Sequence, residues 1–308
     1  MIAEAAAALG GMALLRWGVH RAILHGLRAP RLRHAAWPDT RGLPAGAVRQ
    51  VSLDGPRGRR LFAWFVGAPQ RDAAPVPAVL VMHGWGSNAA EMWPVVRPLH
   101  DAGCAVLLVD ARCHGLSDGE AYTSMPRFAE DIAVGLRWLR TQPGIAGERI
   151  ALLGHSVGAG AALLHAASHG DVRAVLSLSA FAHPREVMRR FMAARRLPYP
   201  VLGWYVLRHV QRVIGARFDD IAPLHTLARV RCPVLLVHGR DDRTVPFSDA
   251  RRLQACTPRA TLLAVDGDHD LRDSLAPHGP ALVHFLRGAL GRDGENIDRK
   301  RVPSLHAR

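Results

Sequence analysis

Two rhythms of apolar and polar positions run along the chain. Ala78–Met82, Ala105–Val109, Ile150–Leu153, Ala174–Leu178, Val234–Val237 and Leu262–Val265 are short runs rich in Val, Leu and Ile. Continuous apolar runs of that length suit strands buried on both faces of a parallel sheet. Ala89–Ala102, Arg127–Thr141, Ala159–Ser168, Ser248–Ala255 and Pro280–Leu290 lie between or after them and read as helices. This alternation predicts an α/β fold with a mostly parallel, doubly wound sheet. Ala47–Leu53 and Arg60–Val66 flank the turn Asp54-Gly55-Pro56 and are expected to add an antiparallel N-terminal edge.

Three stretches fall outside the alternation. Residues 1–44 read as an N-terminal helix followed by a linker marked by Pro30, Pro38, Gly42 and Pro44. Its first run, Ile2–Leu15, is mostly Ala, Leu and Gly, but it carries Glu4 where a signal peptide wants positive charge, and it falls short of the roughly twenty apolar residues of a spanning helix. Further on, Trp17, Val19 and Ile23 mix with Arg16, His20, Arg21 and Arg28, which fits a helix lying on the protein or on a membrane surface. Residues 183–227 interrupt the α/β core of residues 45–290 with an insertion rich in Arg, Met and aromatics. Residues 291–308 form a polar, basic tail that reads as disordered.

With 308 residues and 49% apolar composition the chain has ample material for one large core. The formal net charge of +14 raises the question of a nucleic-acid partner. Lys300 is the only lysine, the arginines are spread along the chain, and no zinc-finger spacing or RNA-binding sheet signature accompanies them. A solvated, arginine-biased surface is the reading, with no nucleic acid. Cys104, Cys113, Cys232 and Cys256 form no C-x-x-C pair, so free thiols in a reducing, cytoplasmic setting are expected rather than disulfides or a metal site.

Candidate chemistry gathers at the ends of the apolar runs. Gly154-His155-Ser156-Val157-Gly158 follows one run and opens a small-residue helix. A serine on such a tight turn adopts a strained backbone, and its hydroxyl rises above the sheet beside a helix N-terminus that favours negative charge. His83-Gly84-Trp85-Gly86-Ser87 ends another run; the Trp85 amide, flanked by glycines, and the Val157 amide are candidate oxyanion donors. After the Val234–Val237 run come Asp241 and Asp242, either of which suits a carboxylate that orients a base. His269, in Gly267-Asp268-His269-Asp270, follows the last run. The order serine, acid, histidine is the one this architecture requires, and four loops in that order are the signal.

From about Val48 to Leu290 the chain resembles the α/β-hydrolase superfamily, and within it the lid-bearing bacterial serine hydrolases: esterases, monoacylglycerol-lipase-like enzymes and serine aminopeptidase-like members. The pattern H-G-x-x-D-x-x-V-P falls on His238, Gly239, Asp242, Val245 and Pro246, which selects Asp242 over Asp241. The loop pattern D-x-R-G-H-G-x-S falls on Asp110 to Ser117, with Cys113 in place of the first glycine, a departure that touches none of the three catalytic positions and leaves open whether the pocket wall is reshaped. The insertion lies where the superfamily commonly carries its cap, so Met188, Phe191, Met192, Leu197, Trp204 and Tyr205 are expected to face the active site; a helical pair packed on the core with no part in substrate binding is the alternative.

The resemblance implies hydrolysis of a small-molecule ester or lipid-like substrate through an acyl-enzyme on Ser156, with His269 as base and Asp242 orienting it, and no metal or cofactor. A peptidase or amidase using the same residues is the alternative enzyme. A catalytically silent binding protein is the alternative of another class, disfavoured because every expected position is filled. Contact with the inner-membrane surface through the first helix or the cap is a further expectation.

Overall fold

A computed structural model describes residues 1–34, 39–69, 74–197, 199–272 and 274–291. Pro38 of the expected linker and the expected disordered tail beyond residue 291 lie outside them.

Among the described residues eight strands form one sheet in the order β1-β2-β4-β3-β5-β6-β7-β8. They are β1 (Val48–Asp54), β2 (Arg60–Val66), β3 (Val76–Met82), β4 (Ala105–Val109), β5 (Ile145–His155), β6 (Ala174–Leu178), β7 (Val234–Gly239) and β8 (Ala260–Val265). β1 pairs antiparallel with β2, and β2 antiparallel with β4. Every other pairing is parallel. The central strands are continuous apolar runs because helices cover both of their faces. Side chains alternate across the sheet. Leu80, Met82, Leu107 and Val109 point into one core layer with Phe128, Ile132 and Leu163. Val79, Val81, Val106 and Leu108 point into the other with Leu99, Leu282 and Leu286.

The helices are α1 (Ile2–Gly26), α2 (Val96–Asp101), α3 (Met125–Arg140), α4 (Val157–His169), α5 (Pro184–Ala194), α6 (Trp204–Ile214), α7 (Phe218–Ile221), α8 (Pro223–Thr226), α9 (Phe247–Gln254) and α10 (Gly279–Leu290). α3 and α4 cover one face of the sheet, and α2 and α10 the other. The helix expected over Ala89–Ala102 is instead a tight 3-10 turn over Ala89–Val95 followed by α2. Pro94 explains the break, since its ring blocks the preceding turn and it has no N–H to donate. β5 begins five residues before its apolar run. Against β3 the pairing jumps from Val76–Ile145 to Ala78–Ile150, so the polar Gly147-Glu148-Arg149 bulge out of the ladder within the strand.

The insertion folds as α5 to α8, with a wide helical turn over Tyr199–Gly203. Salt bridges from Arg190 to Asp249 at 3.1 Å and from Arg252 to Glu186 at 2.7 Å tie α5 to α9.

Candidate active site

Ser156 sits between β5 and α4 with φ 51° and ψ −113°. Only close packing sustains such a backbone at a residue bearing a Cβ. Glycine is required on both sides: a Cβ at Gly154 would overlap the Gly158 carbonyl, and one at Gly158 would overlap the carbonyls of Met82 and His83. The Ser156 amide donates to the Leu178 carbonyl at 2.8 Å, which pins the turn to β6.

The residues that follow three different strands meet here. His269 Nε2 lies 3.0 Å from Ser156 Oγ, and His269 Nδ1 lies 2.7 Å from Asp242 Oδ2. Asp242 is buried, and its other oxygen accepts the amides of Thr244 at 2.9 Å and Val245 at 2.7 Å. His238 Nε2 donates to the Val245 carbonyl at 2.8 Å and stands 3.2 Å from Asp242 Oδ2. Burial opposes the charge on Asp242. The hydrogen bonds from His238, His269 and the Val245 amide outweigh it and hold the carboxyl well below its ordinary range. Asp241 is exposed, and its amide caps the Gly267 carbonyl at 3.0 Å. Burial and contact therefore pick out Asp242.

Trp85 and Val157 both line the cavity beside Ser156. Gly84 passes so close that a Cβ there would stand 2.9 Å from His155 Nδ1 and 3.3 Å from Ser156 Cβ. His83 is fully buried; its Nδ1–H donates to the Gly84 carbonyl at 2.7 Å while its Nε2 accepts the Ala111 amide at 3.0 Å. A trans peptide is planar, so fixing the Gly84 carbonyl also fixes the Trp85 N–H on the opposite side. The Val157 amide belongs to the first turn of α4, where no intrahelical acceptor exists. Buried Asp110 supports this loop from below, accepting the Ala89 amide at 2.7 Å and the Leu116 amide at 2.8 Å.

Several participants are invisible to motif reading. His155 Nε2–H and Ser179 Oγ–H both donate to the backbone carbonyl of His269, at 2.8 and 3.0 Å. They grip the main chain of His269 rather than its ring. Burial pushes the His155 pKa down to about 4, so the ring stays neutral. His155 lies within the serine motif, and Ser179 follows directly on β6 with φ 51°. Position at a strand's C-terminal end is the one signal that marks Ser179. His34, in the stretch read as a linker, packs against Phe62 and Trp64 and bonds Asp110 at 2.8 Å. Leu32 from the same stretch and Leu27 at the end of α1 form part of the cavity wall.

The cavity has a volume of about 720 Å³, and its walls are largely apolar. The insertion contributes Pro184, Val187, Met188 and Phe191 at helical spacing on α5, and Val210 and Ile214 on α6. This corrects part of the expectation. Met188 and Phe191 do face the site, but Met192 is buried in the core, Leu197 and Trp204 are exposed, and Tyr205 packs near His209. Trp204 lines a separate outer groove with Arg185, Arg208, Arg212 and Arg217. Cys113 does not reshape the pocket wall: at φ 68° its Sγ accepts the Glu120 amide at 3.2 Å, away from the cavity lining. Arg272 pairs with Glu91 and Asp270 at the rim.

All four cysteines are free. Among the described residues no group of three or more His, Cys, Asp or Glu side chains is arranged to hold a metal ion. No helix among them is long and apolar enough to cross a membrane.

Residues 73–217 match the family described as Serine aminopeptidase, S33. The Mycobacterium tuberculosis protein Rv2307c is 31% identical over 213 residues, covering 69% of this chain and 68% of that one. The Escherichia coli esterase YjfP is 27% identical over 251 residues, covering 74% of this chain and 93% of that one. The Pyrococcus furiosus esterase Pf2001 superimposes with a TM-score of 0.67 at 22% identity, over 86% of this chain and 98% of that one. The chain belongs to the α/β-hydrolase superfamily and is a hydrolase of that fold.

Proposed function

We propose that this hydrolase is a serine esterase that cleaves carboxylic esters with an apolar acyl chain through an acyl-enzyme on Ser156. The observation that carries the reading is the unbroken chain from Asp242 to His269 to Ser156, at 2.7 and 3.0 Å, opening into an apolar cavity. Asp242 accepts Nδ1–H, which leaves Nε2 bare to take the Ser156 proton as Oγ attacks the ester carbonyl carbon. The carbonyl electrons move onto oxygen, where the Trp85 and Val157 amides meet the new charge. Amides oriented before the reaction cost nothing to reorganise, and each is worth about 3 kcal/mol. Collapse of this intermediate breaks the bond to the alkoxide, which leaves with the proton from His269. Water then repeats the sequence on the acyl-enzyme, with His269 again as base, and releases the acid. Val187, Met188 and Phe191 supply apolar surface for the acyl chain, which gives residues 183–227 the role of a cap over the site.

The family description also names an aminopeptidase, so the test compares both chemistries. A series of p-nitrophenyl esters of rising chain length is assayed beside aminoacyl p-nitroanilides. Ester turnover is expected to dominate, and Ser156→Ala and His269→Ala are each expected to cost about a thousandfold or more in kcat/KM. No turnover of either substrate series, with no labelling of Ser156 by a fluorophosphonate, would leave a silent binding protein, and ester hydrolysis indifferent to Ser156→Ala would overturn the acyl-enzyme on Ser156. A higher kcat/KM on the anilides would make the protein a peptidase.

A further inference from the structure

α1 is anchored through its C-terminal half. Ile23 is buried, Val19 and Leu27 pack against the core, and His20 Nδ1 meets His209 Nε2 on α6 at 3.1 Å. Towards the N-terminus the helix leaves the body. Leu9, Met12, Leu14 and Trp17 are 63%, 56%, 71% and 64% exposed. At about 100° per residue these four are spread around the helix, so large apolar side chains stand exposed on several of its sides with Arg16 among them. Apolar surface spread round a helix in this way needs an apolar environment. The C-terminal end of the same helix, Gly26 and Leu27, is part of the cavity wall. A rise of about 1.5 Å per residue puts Trp17 only about 14 Å along the axis from Gly26.

Charge selects the occupant. From Leu9 to Arg28 there is no acidic residue, while Arg16, Arg21 and Arg28 are all basic. Arg21 lies over the Trp17 ring at 5.8 Å. Pairing with a second copy would set like charges against one another. An anionic lipid surface instead receives arginine at its headgroups and Trp17 at the boundary with the acyl region. We propose that the exposed part of α1 seats the protein on the surface of an anionic phospholipid bilayer. Its other end then holds the cavity beside the lipid, and the substrates are acyl esters that partition into the bilayer. The substrate half of this inference rests on the esterase reading, whereas the docking half does not.

The test sediments the full chain with vesicles of phosphatidylglycerol and phosphatidylcholine, and with phosphatidylcholine alone. Both the wild type and a Leu14→Glu, Trp17→Glu double variant are used, each also assayed on soluble p-nitrophenyl butyrate. Wild type is expected to partition onto the anionic vesicles, less onto the neutral ones, and less at high salt. The double variant should bind roughly tenfold more weakly or worse. It should keep its butyrate activity and lose activity on a long-chain ester carried in the vesicles. Equal vesicle binding by wild type and variant, or none by either, overturns the proposal. So does a wild-type dimer that the substitutions turn into a monomer, which would make a second copy the occupant. Vesicle binding without Ser156-dependent turnover of either ester would overturn the esterase reading alone and leave the docking surface standing.

Discussion

Asp242→Asn separates a positioned base from a merely nearby histidine. The native carboxylate accepts His269 Nδ1–H at 2.7 Å on one oxygen and the Thr244 and Val245 amides on the other. Asparagine keeps one oxygen, which stays with the two backbone amides. That turns its NH2 towards His269, so Nδ1 must accept and the proton moves to Nε2. A protonated Nε2 cannot receive the proton of Ser156, 3.0 Å away. The expected loss in kcat is about 10³–10⁴-fold, or about 4–5.5 kcal/mol of transition-state stabilisation. The folded state loses one charge-assisted hydrogen bond, about 1.5–3 kcal/mol, partly offset because a buried charge disappears as well. Activity should therefore fall much further than stability. Hydrolysis of p-nitrophenyl butyrate gives the first quantity, and urea unfolding followed by circular dichroism gives the second. Asp241→Asn is the control. Its side chain is exposed, and activity within about twofold of wild type is expected because surface changes of this kind cost under about 0.5 kcal/mol. An Asp242→Asn enzyme retaining more than about a tenth of wild-type kcat (a barrier change under about 1.4 kcal/mol) would refute the reasoning.

Stability should fall as pH drops below 6.5, the ordinary histidine value. Burial holds His83 below that value, His114 down at about 2 and His155 at about 4. In this window the unfolded chain takes up protons that the folded rings refuse, so each ring's contribution is whole above pH 6.5 and is lost progressively below it. A thermal midpoint unchanged between about pH 7.5 and pH 5.5 would contradict this. Arg112→Met tests the buried ion cluster behind the Asp110 loop. Arg112 Nε bonds Asp131 Oδ1 at 2.6 Å, and both side chains are buried. Removing the guanidinium strands that carboxylate, and a loss of about 3–5 kcal/mol in urea unfolding is expected; a loss under about 1 kcal/mol would mean that Asp131 finds other support.

The sheet was readable from the chain because a strand covered on both faces must be apolar throughout. That requirement is local in sequence, and it places β4 and β6 to the residue. The serine turn was readable for a similar reason, since Gly154 and Gly158 sit where backbone leaves no room for a side chain. The roles of His155 and Ser179 were not. Each acts on the carbonyl of a residue about a hundred positions away, and nothing in either one's neighbours encodes that distance. The aromatics of the insertion followed the same rule. Composition marks Trp204 and Phe191 alike, and only the packing of α5 and α6 sends one to an outer groove and the other to the cavity. Leu32 entered the cavity wall from a stretch that reads as a linker and Leu27 from the end of the first helix, held there by bonds such as Thr123 N–H to the Leu27 carbonyl at 3.0 Å. Sequence determines what each segment must bury, because burial is a property of a side chain and its near neighbours. The partner it buries against depends on which distant segments arrive at the same rim, and that is decided only when the sheet and its helices have assembled.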